Sequence, residues 1–465
     1  MNGASATALP GTVSRARSFG RLPFAFGPRV FVGLIVGFAW LAPAWWSSRF
    51  IVAMFLWDAF IFSAWLWDLL RLPAVRELEV QRVWRARPAL GVPASVTIRL
   101  TNDGKLPVRA TVIDETPRAL RRDVPELLID APQRSAAEAS YPIQPSQRGD
   151  TRLGSVFLRY QSSLHLAERR AVADLAQTVR VLPNIEEARR QTLRLIRNRQ
   201  VDIERRRHRL RGVGRELESL RDYREGDEFR DISWTATARR NRPITRVFQM
   251  ERSQTVWLVL DAGRLLRAQV EEPGVPQRFS KLDHAVNAAL SLAEVAIHCG
   301  DRVGLLAYGG RVQHSIPPGR GAHHVRMLAD SLAEVHAEAR EPDHLRAVET
   351  LLGTQRRRSL IVWITDFAET STTPEVIEYA AQMTPRHLVL FAAMSQPELA
   401  ALAAKTPESP SEMYRHAAAL EICQRRDILL SGLRRRGVLA FDWMPWGLSA
   451  ALVNQYLDVK ERNQL

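Results

Sequence analysis

The sequence predicts an α/β fold in which a doubly wound, mostly parallel sheet follows a two-helix apolar hairpin and an antiparallel β-sandwich. Three observations predict it. Residues 30–70 hold two long apolar runs, and residues 77–183 hold short runs that alternate with period two. Residues 255–465 alternate apolar strands with segments of helical period. A chain of 465 residues is long enough for two or three such domains.

The apolar hairpin is predicted to be a membrane anchor of two helices, residues 30–46 and 50–70. At 1.5 Å per residue they would extend about 25 Å and about 31 Å, near the thickness of a bilayer core. Arginines flank both outer ends, whereas the turn holds only Arg49. The positive-inside rule therefore predicts a two-pass inner-membrane protein, with a cytoplasmic tail at residues 1–29 and cytoplasmic soluble domains. Asp58 is expected to face the partner helix or another subunit.

The β region reads as a sandwich of immunoglobulin-like type. Residues 95–100 have period two, the turn signal Asn102-Asp103-Gly104 follows, and similar runs recur up to residue 183. No residue pattern in this region points to catalysis.

The net charge of +15 raises the question of nucleic-acid binding. The densest basic cluster, residues 189–211, has no interleaved aromatic side chain to stack on bases. It fits a surface beside anionic lipid or a protein partner better, so lipid is an expected partner and nucleic acid is not. Cys299 and Cys423 give neither a disulfide framework nor metal-ligand spacing.

Two apolar runs of the α/β region end in an acidic residue, the first in Asp261 and the second in Asp366. Continuous apolar runs of this length are typical of buried parallel strands. In a doubly wound sheet, ligands bind at the carboxyl ends of the strands near the switch point. These two aspartates are therefore the candidate ligand site.

Residues 184–254 form a basic and acidic segment between the two soluble domains. Within residues 215–234, paired charges alternate with large apolar residues. A metal-binding carboxylate cluster is one interpretation, but arginines match the acids nearly one for one, so charge-paired docking is simpler. The candidate partner-docking residues are Arg221, Tyr223, Asp227, Arg230 and Trp234.

The block 220–234, together with Leu282-Asp283-His284 and the run 300–304, resembles the bacterial domain-of-unknown-function family number fifty-eight. The resemblance implies a von Willebrand factor A-like domain behind a membrane anchor. It also implies a partnership with MoxR-type AAA+ ATPases in the assembly, activation or metal loading of other proteins.

The resemblance further places the two strand-end aspartates at the positions of a Mg²⁺ site. The family of that domain opens the site with Asp-x-Ser-x-Ser, but here Gly263 and Leu265 supply no hydroxyl, and the loop 319–322 has no threonine. The site is therefore expected to be degenerate, with no metal and no cofactor. A salt bridge from Arg264 to one aspartate could replace the cation.

Enzyme motifs are absent from the sequence. It has no Gly-x-Ser-x-Gly, no phosphate-binding loop, no His-Glu-x-x-His and no Gly-x-Gly-x-x-Gly. We therefore expect an interaction or scaffold protein rather than an enzyme. The alternative is a cryptic metal-dependent hydrolase that uses the carboxylates at the carboxyl edge of the sheet.

Overall fold

The computed structural model describes residues 12–20, 24–47, 49–162, 164–184, 216–224, 229, 232–249, 254–274, 277–367, 373–462 and 464. The chain divides into two compact units, Met1–Leu182 and Pro183–Leu465. The basic cluster at residues 189–211 lies outside the described residues, as do Asp227 and Arg230.

The first unit is a β-sandwich. Its two antiparallel sheets have the strand orders β1-β4-β5-β8 and β2-β11-β10-β6-β7; β3 also pairs with β11, and β9 pairs with β12. Strand β4 alternates buried and half-buried residues, as period two requires, and both sheets contribute to one apolar core. The strands are β1 (Thr12–Arg15), β2 (Arg17–Ser18), β3 (Phe24–Phe26), β4 (Leu78–Trp84), β5 (Ala94–Asn102), β6 (Val108–Asp114), β7 (Glu126–Ala131), β8 (Ser135–Ile143), β9 (Gly149–Leu153), β10 (Val156–Gln161), β11 (Ala167–Ala173) and β12 (Gln177–Val181).

The predicted N-terminal tail, residues 1–29, contributes strands to this sandwich. β1 pairs with β4, while β2 and β3 pair with β11. They satisfy backbone groups that would otherwise stay open at two strand edges. Runs of two to four residues are too short to show a period-two pattern, so these strands could not be predicted from periodicity.

Two apolar helices leave the sandwich, α1 (Pro28–Phe38) and α2 (Arg49–Arg71). Among the described residues, α2 alone is long and apolar enough to cross a membrane. The prediction of two full-length spans is therefore not confirmed. The first predicted span gives an α-helix of 11 residues followed by 3-10 turns, because Pro43 cannot continue an α-helical hydrogen-bond ladder.

The two apolar helices pack against each other through glycines of α1. Trp57 Nε1 donates to the carbonyl oxygen of Gly33 at 2.9 Å. A Cβ atom at Gly37 would lie 2.7 Å from Asp58 Oδ1, so a larger residue there would displace the Asp58 side chain. Asp58 consequently faces the partner helix, one of the two expected orientations.

The second unit alternates strands and helices, so the predicted mixed α/β architecture is confirmed. Its strands are β13 (Glu216–Asp222), β14 (Ile244–Gln249), β15 (Thr255–Asp261), β16 (Gln269–Val270), β17 (Phe279–Ser280), β18 (Arg302–Tyr308), β19 (Val312–Gly319), β20 (Leu360–Thr365), β21 (Leu388–Met394) and β22 (Leu439–Trp443). Its helices are α3 (Trp234–Arg240), α4 (Lys281–His298), α5 (Ala322–Glu334), α6 (His344–Thr354), α7 (Thr373–Met383), α8 (Pro397–Ala404), α9 (Pro410–Arg435) and α10 (Leu448–Glu461).

The main sheet has six strands in the order β19-β18-β15-β20-β21-β22. All neighbours are parallel except β19, which pairs antiparallel with β18 at the edge. Alternate residues of β15 enter two different cores: Leu258 packs with α4, whereas Trp257 packs with α6 and α7. Helices therefore cover both faces. The chain order reverses between β15 and β20, which makes this the switch point of the sheet.

Candidate functional site

The two predicted aspartates lie at the switch point. Asp261 is the last residue of β15, and Asp366 directly follows β20, the parallel neighbour of β15. Both side chains are buried. The apolar strands thus bring the two carboxylates to one edge of the sheet, as their position at strand ends predicted.

Asp261 is held by hydrogen bonds from a side chain and from the backbone. Its Oδ2 accepts from Thr365 Oγ1 at 2.6 Å, and its Oδ1 accepts from the backbone N–H of Gly263 at 2.7 Å. Burial raises the pKa of Asp261 to about 7, and the negative charge of Asp366 adds to the rise. The hydrogen bonds from Thr365 and Gly263 lower the pKa but do not offset the effect of burial. Near neutral pH this carboxyl is therefore divided between its protonated and charged forms.

Asp366 is neutralised by two basic side chains. Its Oδ2 accepts from Lys281 Nζ at 2.6 Å, and its Oδ1 accepts from the Arg426 guanidinium at 3.0 Å. Arg426 also donates to both oxygens of Asp442, at 2.6 and 3.0 Å, and to the carbonyl oxygen of Phe367 at 2.7 Å. The first residue of α4 and the middle of α9 thus supply the positive charge at this site.

These contacts do not fit a divalent cation. Mg²⁺ needs an octahedron of oxygen ligands, whereas both oxygens of Asp366 already accept from cations. Within the described ranges, no three His, Cys, Asp or Glu side chains are grouped to hold a metal ion. Chemically, the arrangement can fix the loops at the switch point through a buried, charge-balanced network.

The expected role of Arg264 is wrong. Arg264 forms an ion pair with Glu341 at the surface, and Lys281 and Arg426 take the place proposed for it. Gly263 does more than omit a hydroxyl: a Cβ atom there would lie 2.5 Å from the Pro342 ring. A serine at this position would require the loop to shift.

The loop at residues 319–322 also lies away from the site. Gly319 pairs with Val303 near the start of β18, at the sheet end opposite to Asp261. The loop beside the aspartates is instead residues 335–343, where Glu338 N donates to the carbonyl oxygen of Ala262 at 2.8 Å. The antiparallel direction of β19 explains the difference, because it returns the chain to the amino edge.

Residues 215–234, which we name the docking segment, supply β13 and the start of α3, and β13 forms an antiparallel hairpin with β14. Arg221 lies on β13 and is half-buried. The rings of Tyr223 and Phe229 are 6.1 Å apart, and Trp234 begins α3. Ile232 turns inward, so the segment has an apolar inner side and an aromatic outer side. The two other docking candidates cannot be placed, since they lie outside the described residues.

The sequence interpretation missed four residues of the site: Thr365, Lys281, Arg426 and Asp442. A signal existed for one of them. The chain has 65 Lys and Arg residues, of which four are lysines. Two of those, Lys281 and Lys460, reach buried aspartates, the latter Asp301 at 2.8 Å. The other two, Lys105 and Lys405, are exposed, so the rarity of lysine is only a partial signal for a buried ion pair.

One protein family matches the region that contains this site. Residues 219–406 match the family Protein of unknown function DUF58. The DUF58 match includes Asp261, Lys281 and Asp366, and ends before Arg426 and Asp442. The second cation thus comes from a part of the chain beyond the matched region.

Relatives with a similar sequence are also uncharacterized. The uncharacterized protein Rv1480 of Mycobacterium tuberculosis is 30% identical over 158 residues, which are 34% of this chain and 48% of the relative. The uncharacterized protein YeaD of Bacillus subtilis is 24% identical over 319 residues, 64% of this chain and 73% of the relative. The chain spans about half the length of the mycobacterial relatives that it matches.

Two solved structures show partial likeness. The conserved hypothetical protein BatB of Bacteroides thetaiotaomicron is 12% identical, with a TM-score of 0.30 over 45% of this chain and 99% of that one. An uncharacterized membrane-spanning protein of Vibrio fischeri is 12% identical, with a TM-score of 0.18 over 45% and 99%. Both TM-scores are too low to indicate a shared fold.

Proposed function

We propose that this chain is a membrane-anchored interaction protein that binds a MoxR-type AAA+ ATPase in protein assembly or activation. The observation that carries the proposal is the exposure of large aromatic side chains in the docking segment. Phe229 is 74% exposed and Trp234 is 68% exposed, beside a folded hairpin. Large exposed apolar groups mark interaction sites, and tryptophan and tyrosine often dominate binding energy.

The second unit is proposed to be a von Willebrand factor A-like domain. Its mostly parallel sheet, the antiparallel edge strand β19 and the two aspartates that flank the switch point support this. In this proposal the domain works by presenting loops and the docking segment to a partner.

The hydrolase alternative is less well supported by the geometry. A metal-dependent hydrolase needs carboxylates with free oxygen lone pairs directed at the ion. Here Lys281 and Arg426 are directed at Asp366, and Thr365 and Gly263 donate to Asp261. A divalent cation there would add positive charge beside Lys281 and Arg426, which already neutralise Asp366.

The anchor is proposed to be two-pass, with the soluble units in the cytoplasm. Helix α2 supplies one span, and α1 runs beside it as the other arm of a hairpin. The arginine asymmetry of the flanks supports this orientation, because basic residues remain on the cytoplasmic side.

Replacing Trp234 by alanine is expected to lower retention of the co-expressed ATPase about tenfold or more, because a central tryptophan often contributes over 1.4 kcal/mol. The measurement is the amount of ATPase retained when the tagged full chain is purified from detergent-solubilised membranes. Since Trp234 is mainly exposed, the melting temperature should hardly change.

Tyr414→Ala provides the matched control for the docking experiment. Tyr414 is 80% exposed on α9, so it tests the loss of an exposed aromatic ring elsewhere in the same unit. The control should retain the ATPase as the unchanged chain does. Equal retention by the Trp234 variant would place the docking surface outside this segment.

A further inference from the structure

The junction between α2 and the sandwich is rigid. Asp68, in the last turns of α2, is buried and accepts from Ser162 Oγ at 2.6 Å and from the backbone N–H of Ala167 at 3.0 Å. Arg169 on β11 donates to the carbonyl oxygens of Leu69 and Pro73, at 2.9 and 3.2 Å. The helix therefore enters the sandwich without a flexible linker, and its depth in a membrane fixes the depth of the sandwich.

Large apolar side chains remain exposed around this junction. We name them the collar: Phe24, Phe26, Trp67, Leu70 and Leu164. Leu70 is 73% exposed, and it lies two residues after the buried Asp68, about half a helical turn away. The collar is continuous with the anchor, because the Phe24 and Phe26 rings lie 5.9 and 4.6 Å from the ring of Trp65 on α2.

The length of α2 places the collar at the membrane boundary. Residues 50–64, which precede the junction, extend about 22 Å as a helix, short of a hydrocarbon core of about 30 Å. Residues 50–70 extend about 31 Å and match it. The last turns of α2 must then lie within the membrane boundary, and β3 lies at their level because its rings contact Trp65.

Basic side chains lie beside the collar, where lipid head groups would be. The Arg71 guanidinium lies 4.4 Å from the centre of the Trp67 ring, and Arg29 donates to the carbonyl oxygen of Leu164 at 3.1 Å. Tryptophan paired with arginine is typical of a membrane–water interface, where the ring is apolar and the charge is hydrated. Asp68 is compatible with this depth because it is enclosed and hydrogen-bonded.

We propose that the sandwich is seated in the lipid interface through the collar, with the bilayer surface as its binding partner. This inference rests on the proposed membrane anchoring and adds a second, direct lipid contact by the first soluble unit. Its consequence is that the sandwich is held in one orientation to the membrane rather than tethered loosely above it.

The test places an environment-sensitive dye on the full chain in vesicles of phosphatidylcholine and phosphatidylglycerol. In a chain carrying Cys299→Ala and Cys423→Ala, single cysteines replace Phe26, Leu70 or, as control, Leu128. Leu128 is 61% exposed on β7 of the same unit. Spin-labelled lipids should quench dyes at the two collar positions at least about threefold more than the control dye, as expected for groups within the headgroup boundary.

The outcomes separate this inference from the proposed anchoring. If the collar dyes are as exposed to water as the control dye, and the chain still resists carbonate extraction, the proposed contact of the collar with lipid is wrong. The anchor is then unaffected. A chain that carbonate removes from the vesicles would overturn both. Quenching of the dye at position 70 but not at position 26 would also contradict the proposal, because Phe26, the residue on the sandwich, would then lie outside the lipid interface.

Discussion

Replacing Arg426 by methionine is expected to lower the free energy of unfolding of the second unit by about 3–5 kcal/mol. Arg426 is nearly buried and donates to Asp366 and Asp442, and its guanidinium lies 4.5 Å from the centre of the Phe367 ring. Methionine fills much of the volume of the arginine side chain, but it removes the positive charge that pairs with Asp366 and Asp442. Lys281 would then be the remaining charge on Asp366.

The neighbouring residue gives a matched control. Arg425 forms an ion pair with Glu421 one helical turn away, and both side chains are half exposed. Arg425→Met removes the same charge from α9 and should change stability by less than about 1 kcal/mol. Thermal unfolding of the full chain in detergent distinguishes the two variants. Equal stability of both would show that the buried network contributes no more than a surface pair.

Replacing Asp261 by asparagine is expected to stabilise the protein at pH 8 by up to about 4 kcal/mol, and by much less at pH 5. The folded pKa of Asp261, about 7, lies above its ordinary value of 3.8. Between these values the folded state binds more protons than the unfolded state, so stability falls as pH rises. Asparagine has no charge to bury and removes this loss.

The local contacts allow the asparagine. Its oxygen can still accept from Gly263 N, and its amide can donate to Thr365 Oγ1, whose hydrogen can turn to the Asp366 carbonyl oxygen at 3.2 Å. The quantity to compare is the difference in melting temperature between the variant and the unchanged chain at each pH. The effect of histidine titration on stability is the same in both chains and cancels in this difference. Asp427→Asn, at an exposed position of α9, should show no pH-dependent difference.

A result of opposite sign would contradict the account of Asp261. If the asparagine variant were destabilised at pH 8, the carboxylate would have to be stabilised in its charged form. That would require a cation beside Asp261, or hydrogen bonds that outweigh its burial, and the pKa of the carboxyl would then be low rather than high.

The strands that carry the site could be predicted because each is one local apolar run. Thr255–Asp261 and Leu360–Thr365 are buried on both faces, and a parallel strand of this kind is readable from a few consecutive residues. The two aspartates are the residues at which these apolar runs end. The position of the two aspartates at one sheet edge therefore needed no long-range information.

The charges that complete the site could not be predicted, because they arrive from distant helices. Arg426 is 60 residues from Asp366 in an arginine-rich helix, and nothing local separates it from Arg425. Arg264 is close to Asp261 in sequence, so sequence alone favours it as the cation of the site. In the structure it pairs with Glu341 instead. The loop at residues 319–322 was expected beside the aspartates. It lies at the other end of the sheet because the edge strand β19 runs antiparallel to β18.

Lys281 and Arg426 supply the positive charge beside Asp366 at the switch point, where a metal site would hold its cation. Titration of Mg²⁺ into the full chain in detergent, followed by calorimetry, tests it most directly. We expect no binding tighter than about 0.1 mM, which corresponds to about 5.5 kcal/mol. Tighter binding that Asp261→Asn abolishes would contradict it.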